Sequence, residues 1–332
     1  MRSTFLKPLP RRTLALCIGA TLAFGVLPSH AQEDYPTKPI TMIMPFAPGS
    51  GFDTIVRYVS GELSEVLGQQ VVVENVPGAG GVVGSERAAH AEPDGYTLIF
   101  HSVSSAAVNA AIYGNLNYDP AEDFVAISLI STYPTVMITN NEFPAANIEE
   151  FIQVLKDHPG EYNYGSSGVG SGIHLAAELF KTKAGVDILH IPFKGTSETM
   201  KELLGGRIQM TMGAVPSAVG AIQEGQVRAL AVSSAQRSSV LPDVPTLQEA
   251  GLEGYDLPYW NGIFAPKGTP QPIIDKLAAA AKEVMARPAT QERMRELGAE
   301  SVGSSPEELD AYWKEQLAIY EEVARAAGVE KQ

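Results

Sequence analysis

Cysteine is almost missing: Cys17 is the one copy in 332 residues. A lone thiol excludes a disulfide framework and any CxxC zinc or redox site. Positive charge is scarce as well. Lys+Arg number 24 against Asp+Glu 38, a formal net charge of −14. A nucleic-acid binder would show a basic footprint, so that class is set aside. No HxxxH or HExxH spacing occurs, and the histidines are scattered, so no metal site is expected. Long apolar runs are missing too. The run Thr13–Leu27 has 15 residues, short of the roughly 20 that span a bilayer. What is present is a globular composition, 45% hydrophobic and 19% charged. That composition buries a sizeable core, and the length allows about two domains.

Acid is absent from residues 1–31, which carry Arg2, Lys7, Arg11 and Arg12. The basic head, the short apolar run and the small residues Ser29 and Ala31 are the three parts of a secretory signal peptide cut after Ala31. Arg11-Arg12 leaves twin-arginine export open beside the general route. Cys17 lies in the apolar run and is expected to leave with it. The remaining 301 residues would be cysteine-free, with 20 basic residues against 38 acidic ones and a net charge of −18. An exported protein of that kind depends on its core for stability.

A strand-turn-helix rhythm runs through the rest. Ile40–Pro45 reads as a strand, and Ile55, Val59, Leu63, Val66 and Leu67 recur at helical spacing until Gly68. Val71–Val73 is the next strand, Val82–Ala89 a helix, and Tyr96–His101 a third strand. After a Pro/Asp-rich stretch near Asp119–Asp123 the alternation resumes at Thr135 and continues to Val232. Trp260–Ala265 is one more strand, and the end is helical. Thr269-Pro270 reads as a helix start with Thr269 as the cap, and Ser305-Pro306-Glu307-Glu308 as a capping box. The alternation predicts an α/β fold with parallel βαβ units. No internal repeat is evident.

Four strand-to-helix loops hold the residues suited to chemistry. Pro45–Asp53 combines Gly49, Ser50 and Gly51 at a helix start, where backbone N–H groups and the helix dipole suit an anion. Asp53 reads as a residue that caps the helix and orients this loop. The loop Glu74–Gly84 has glycines spaced GxGxxxG and lacks the acidic residue that would hold a ribose, so no dinucleotide cofactor is expected. A close approach of its backbone to a cleft is the alternative reading. Tyr164–His174 offers Ser166, Ser167, Ser171 and the N–H groups of Gly168 and Gly170, with His174 on the first helical turn. It lacks the GxSxG spacing of a nucleophile elbow. His190–Thr196 adds Lys194. Ligands of open α/β sheets sit at the C-terminal ends of strands, so the four loops imply a cleft between two domains. Neutral donors without a nucleophile–base pair suit recognition rather than catalysis.

At these residues the chain resembles the periplasmic solute-binding receptors of tripartite tricarboxylate transporters, the Bug family. The resemblance runs through the PFAPGSGFD loop, ENVPGAGGVVG, DGYTL (Asp94–Leu98), YGSSGVGSGIHLAAELF, HIPFKG and RSSVLPDVPTLQEAG (Arg237–Gly251). It implies a two-lobed, type II periplasmic-binding fold with mixed, mostly parallel sheets, closing on a small organic acid. Residues 32–132 and 256–332 would form one domain, and 133–255 the other. The implied ligand-binding residues are Phe46, Pro48, Gly49, Ser50, Gly51 and Asp53, with Ser102 and Ser104 after the third strand. The second domain would add Ser166, Ser167, Gly168, Gly170, Ser171, His174 and Lys194. The family's first loop commonly has glycine where this chain has Ser50, and a small residue where it has Phe52. The implied partners are a small carboxylate and the permease subunits of a membrane transporter, with the receptor acting as a monomer. No cofactor is implied. Two other readings are a ligand-sensing subunit of a membrane kinase and an exported hydrolase built on Ser167 and His174.

Overall fold

The computed structural model describes residues 35–326, 328, 329 and 331. The signal-peptide reading of residues 1–31 therefore lies outside the described residues. Among them, no helix is long and apolar enough to cross a membrane, and no cluster of three metal-ligating side chains occurs.

The chain builds two sheets. β1 (Ile40–Met44), β2 (Val71–Asn75), β3 (Thr97–Ser102), β4 (Phe124–Tyr133), β10 (Tyr259–Pro266) and β11 (Glu300–Ser301) form one, ordered β11-β4-β10-β3-β1-β2. β5 (Thr135–Asn140), β6 (Asn163–Ser166), β7 (Leu189–Pro192), β8 (Met210–Ala214) and β9 (Val227–Val232) form the other, ordered β7-β6-β8-β5-β9. Each sheet with its helices makes a lobe. The chain passes from lobe one to lobe two at Pro134 and returns between β9 and β10.

The two sheets share one plan. Three parallel strands stand in the order second-first-third: β2-β1-β3 and β6 flanked by β7 and β8. A strand from a distant part of the chain then pairs antiparallel with the third, β10 in lobe one and β5 in lobe two. A further strand, β4 or β9, pairs beyond it, and in lobe one the short β11 lies outside β4. The mixed sheets are as expected, but parallel pairing does not predominate. Among the described residues, four strand pairings are parallel and five antiparallel. The inserted strands run against their neighbours because they carry the chain to or from the other lobe.

β4 has no counterpart in the sequence reading. Its apolar pattern is interrupted by Ser128 and Ser131, which are fully buried. Tertiary partners satisfy both: Ser128 donates to the Ser304 carbonyl at 2.8 Å and Ser131 to Asn261 Oδ1 at 3.0 Å. Helix α1 (Gly51–Leu67) buries Ile55, Val56, Val59 and Leu63 and stops at Gly68, whose φ of 67° is left-handed. The capping box at the start of α10 (Pro306–Ala326) is made as read: Glu308 N–H donates to Ser305 Oγ, and Ser305 N–H to Glu308 Oε2. Thr269 is a correction. α8 (Gln271–Ala286) begins one residue later without a side-chain cap, and the Thr269 hydroxyl donates to the Pro266 carbonyl instead.

Candidate functional site

The C-terminal ends of the parallel strands of both sheets face each other across a cavity of about 320 Å³. Five helices start at its edge. They are α1, α2 (Val82–Ala89), α5 (Gly172–Ala184), α6 (Thr196–Leu204) and α7 (Val215–Gln223). Several positive helix ends aimed at one volume favour an anion there.

Two of these starts are near copies. Gly49-Ser50-Gly51-Phe52-Asp53 opens α1, and Gly170-Ser171-Gly172-Ile173-His174 opens α5. In each, the serine is the N-cap and its Oγ accepts the N–H three residues on, from Asp53 or His174, at 3.2 Å. In each, the side chain at that third position accepts the N–H of the glycine before the serine. Asp53 Oδ2 takes Gly49 N–H at 3.2 Å, and His174 Nδ1 takes Gly170 N–H at 3.1 Å. In each, the first helical N–H reaches a serine of the opposite lobe. Gly51 donates to Ser217 Oγ at 3.2 Å and Gly172 to Ser104 Oγ at 3.0 Å. Both of these glycines are required by close approach. A Cβ on Gly51 would lie 2.6 Å from the Pro216 backbone, and one on Gly172 2.8 Å from the Tyr259 ring.

This arrangement orients the hydroxyls. The oxygens of Ser50, Ser171 and Ser217 each accept one N–H bond, and each keeps its proton to donate. Ser102 lines the cavity at 1% exposure, and its hydroxyl makes no well-formed hydrogen bond. Four hydroxyls able to donate suit a group that only accepts, as an ionised carboxylate does.

The expected site residues divide into two sets. Phe46, Pro48, Ser50, Ser102, Ser167, Ser171 and Lys194 line the cavity. Gly49, Gly51, Asp53, Ser104, Ser166, Gly168, Gly170 and His174 stand behind that lining and hold it. Asp53 is 6% exposed. Its other oxygen takes the Asn75 amide at 3.0 Å, and Arg57 Nε donates to Oδ2 at 3.0 Å. Burial pushes the Asp53 carboxyl up, but the bonds from Arg57, Asn75 and Gly49 outweigh it and hold it below the usual carboxylate range. Ser166 is fully buried, donates to the Gly168 carbonyl at 2.9 Å and lies 2.7 Å from His190 Nε2. His174 stacks on His190 with centroids 4.1 Å apart. Burial lowers both imidazoles, His190 to about 3 with the positive potential of His174 and Lys181 added. With Nδ1 facing Gly170, His174 is not set up as a base for Ser167, and the hydrolase reading loses its one feature.

Several lining residues escaped the sequence reading: Thr196, Ser197, Ala214 and Ser217 of lobe two and Tyr133 of lobe one. Ser217 follows a short apolar strand and a proline, a context with no local signal. Pro77–Gly81 lines the cavity too, in line with the close-approach reading of that glycine-rich loop.

Comparison with known proteins agrees with this geometry. A protein of Pseudomonas sp. strain P51, described as a UPF0065 protein in the tcbD-tcbE intergenic region, is 36% identical over 316 residues, 94% of this chain and 93% of that one. The solved structure of R. palustris Rpa4515 with adipate is 33% identical, with a TM-score of 0.87 over 90% of this chain and 100% of that one. MatC of Rhodopseudomonas palustris with bound malate is 33% identical, with a TM-score of 0.82 over 87% of this chain and 99% of that one. The model of the tripartite tricarboxylate transporter family receptor matches residues 55–329. That match runs through both lobes and most of the chain, beginning just after the first cavity loop, and the chain belongs to the family of tripartite tricarboxylate transporter receptors.

Proposed function

We propose that the protein is a periplasmic receptor that captures a small organic carboxylate between its lobes and delivers it to the permease of a tripartite transporter. The observation that carries this reading is the set of hydroxyl protons gathered among helix starts. Ser50, Ser171 and Ser217 are oriented by one accepted N–H bond each and keep a proton to donate, Ser102 makes no well-formed hydrogen bond, and helix starts surround them. The adipate and malate held by relatives are acids of the matching kind.

The domains of the proposal are residues 32–133 with 256–332, and 134–255, one residue later than read from the sequence because Tyr133 ends β4. They hinge where the chain crosses at Pro134 and again before Tyr259. The carboxylate exchanges water for hydroxyl and N–H dipoles, and its contacts with both lobes favour the closed form over the open one. No covalent step is involved. Neutral donors hold the anion without a buried counter-charge, which keeps release to the permease easy. The receptor is exported by the leader ending at Ala31, acts as a monomer, and needs no metal or cofactor. Its net acidity favours solubility, while the local field at the helix starts determines the sign of the ligand.

Ligand binding to the folded state raises apparent stability, so a thermal-shift screen across carboxylates, amines and neutral sugars tests this directly. The expected hits are acids alone. Ser167 lines the cavity without capping a helix, so Ser167→Leu should abolish those shifts and leave the ligand-free melting temperature within a few degrees. A screen in which amines or sugars shift the melt and acids do not would remove the proposal.

A further inference from the structure

The cavity offers its anion-seeking hydroxyls together with a wall of a different character. Phe46, Phe52, Pro45, Pro77 and Ile173 line it, joined by Tyr259. The aromatic part of this wall is held in place. Phe46 and Phe52 meet edge to face at 5.7 Å, and Phe52 leans on the buried Phe100 at 5.3 Å. Phe46 also packs over Gly81, where a Cβ would come within 3.2 Å of its ring. A fixed apolar wall gains most from an apolar surface laid against it.

A second carboxylate finds no matching provision. Among the described residues, the charged side chains lining the cavity are Lys194 and Glu198, both exposed and both beside the start of α6. Glu198 directs its carboxylate to the Lys194 backbone N–H at 3.0 Å. It thereby supplies its own negative charge to the helix start that a distal anion would otherwise use. The equivalent acid of lobe one, Asp53, differs because Arg57 pairs with it and it stands behind the lining. A second carboxylate would meet either the apolar rings or Lys194 and Glu198 side by side, where the acid offsets the attraction of the ammonium, and burying it without a net positive partner is costly.

We infer that the ligand carries one carboxylate on an apolar, ring-sized body, and that Phe46 and Phe52 select that body while Glu198 disfavours a second acid group. The inference rests on the carboxylate-receptor reading and narrows it. It separates this chain from its adipate- and malate-bound relatives, which hold dicarboxylates.

The test is calorimetric titration of the full-length mature protein with benzoate, cyclohexanecarboxylate, adipate and malate. The monocarboxylates should bind at least tenfold more tightly than either dicarboxylate. Phe52→Ala should weaken benzoate about tenfold or more and leave adipate within about threefold. Glu198→Gln should narrow the gap by strengthening adipate. Adipate or malate binding as tightly as benzoate in the unaltered protein would overturn the inference while leaving the receptor reading intact. A folded protein, with a cooperative melt, that binds none of the four would overturn both. A Phe52→Ala protein that keeps full benzoate affinity would remove the aromatic wall from the argument.

Discussion

The two lobes present the same device to the cavity with different chemistry at its base. Both open a helix with Gly-Ser-Gly, cap it with the serine, and tie the preceding glycine to the side chain at the third helical position. In lobe one that side chain is Asp53, charged and paired with Arg57. In lobe two it is His174, neutral and stacked on His190. The shared part is what ligand and lobe closure require: a donor hydroxyl, and a glycine thin enough to meet the other lobe. The differing part lies behind the lining, where any good acceptor of one N–H bond serves. Position in the device, rather than residue type, separates contact from support.

The largest expected effect breaks the shared part. Gly51→Val drives a side chain into the Pro216 backbone and Gly172→Val drives one toward Tyr259, so either should prevent closure. Ligand affinity should fall at least a hundredfold in both, with scattering showing a protein that no longer compacts on ligand addition. Loss in one and not the other would show that the two halves of the device are not equivalent.

The second effect probes the base. Asp53→Ala leaves the Gly49 N–H, the Asn75 amide and Arg57 without their acceptor. It should cost about 2 kcal/mol, since a buried polar group left unsatisfied loses its full desolvation penalty. His174→Ala removes one such bond and a ring stack, and should cost less. Urea denaturation of the two variants compares them.

The third is pH. The stacked imidazoles titrate below the ordinary histidine value of 6.5, His190 at about 3. Above 6.5 neither state takes up these protons and no penalty exists. As pH falls toward 3 the unfolded chain binds protons that the folded one refuses, and stability drops by at most about 1.4 kcal/mol per pH unit per proton withheld. Asp53 is held below the carboxylate range, so its contribution persists through most of that window and fades at its lower end. Denaturation midpoints followed from neutral pH to about pH 4 should fall in the parent, with a shallower slope in His174→Phe. An unchanged slope would place the acid sensitivity elsewhere.

The smallest effect concerns the latch serines. Ser217→Ala and Ser104→Ala each remove one bond across the cleft, each worth about 1 kcal/mol. Each should weaken ligand binding about fivefold. The comparison sharpens if Ser217→Ala is the more damaging, because Ser217 also lines the cavity and offers its proton to the ligand.

Much of the fold was legible. Helix α2 matches the residues read as a helix, and α1 carries the apolar positions read at helical spacing and ends before Gly68, because apolar faces and turn residues are local signals. β4 was not, because Ser128 and Ser131 look polar until Ser304 and Asn261 are placed beside them. The candidate loops were legible as glycine-rich strand-to-helix turns. Their division into lining and support was not, since Ser50 and Asp53 lie three residues apart and point to different partners.

By itself, the sequence determined the alternation of elements, the acidic composition, and loops rich in backbone donors, all of which depend on near neighbours along the chain. Tertiary structure decided the shared plan of the two sheets and the pairing of Gly51 with Ser217 and of Gly172 with Ser104. It also decided the meeting of Phe46 and Phe52 in one wall. These contacts join residues as far apart as 166 positions, and such pairings exist only once the intervening chain has packed. The repeated Gly-Ser-Gly device belongs to both levels. Its letters stand in the sequence, but five residues are too few to mark a repeat until two lobes bring them to the same cavity.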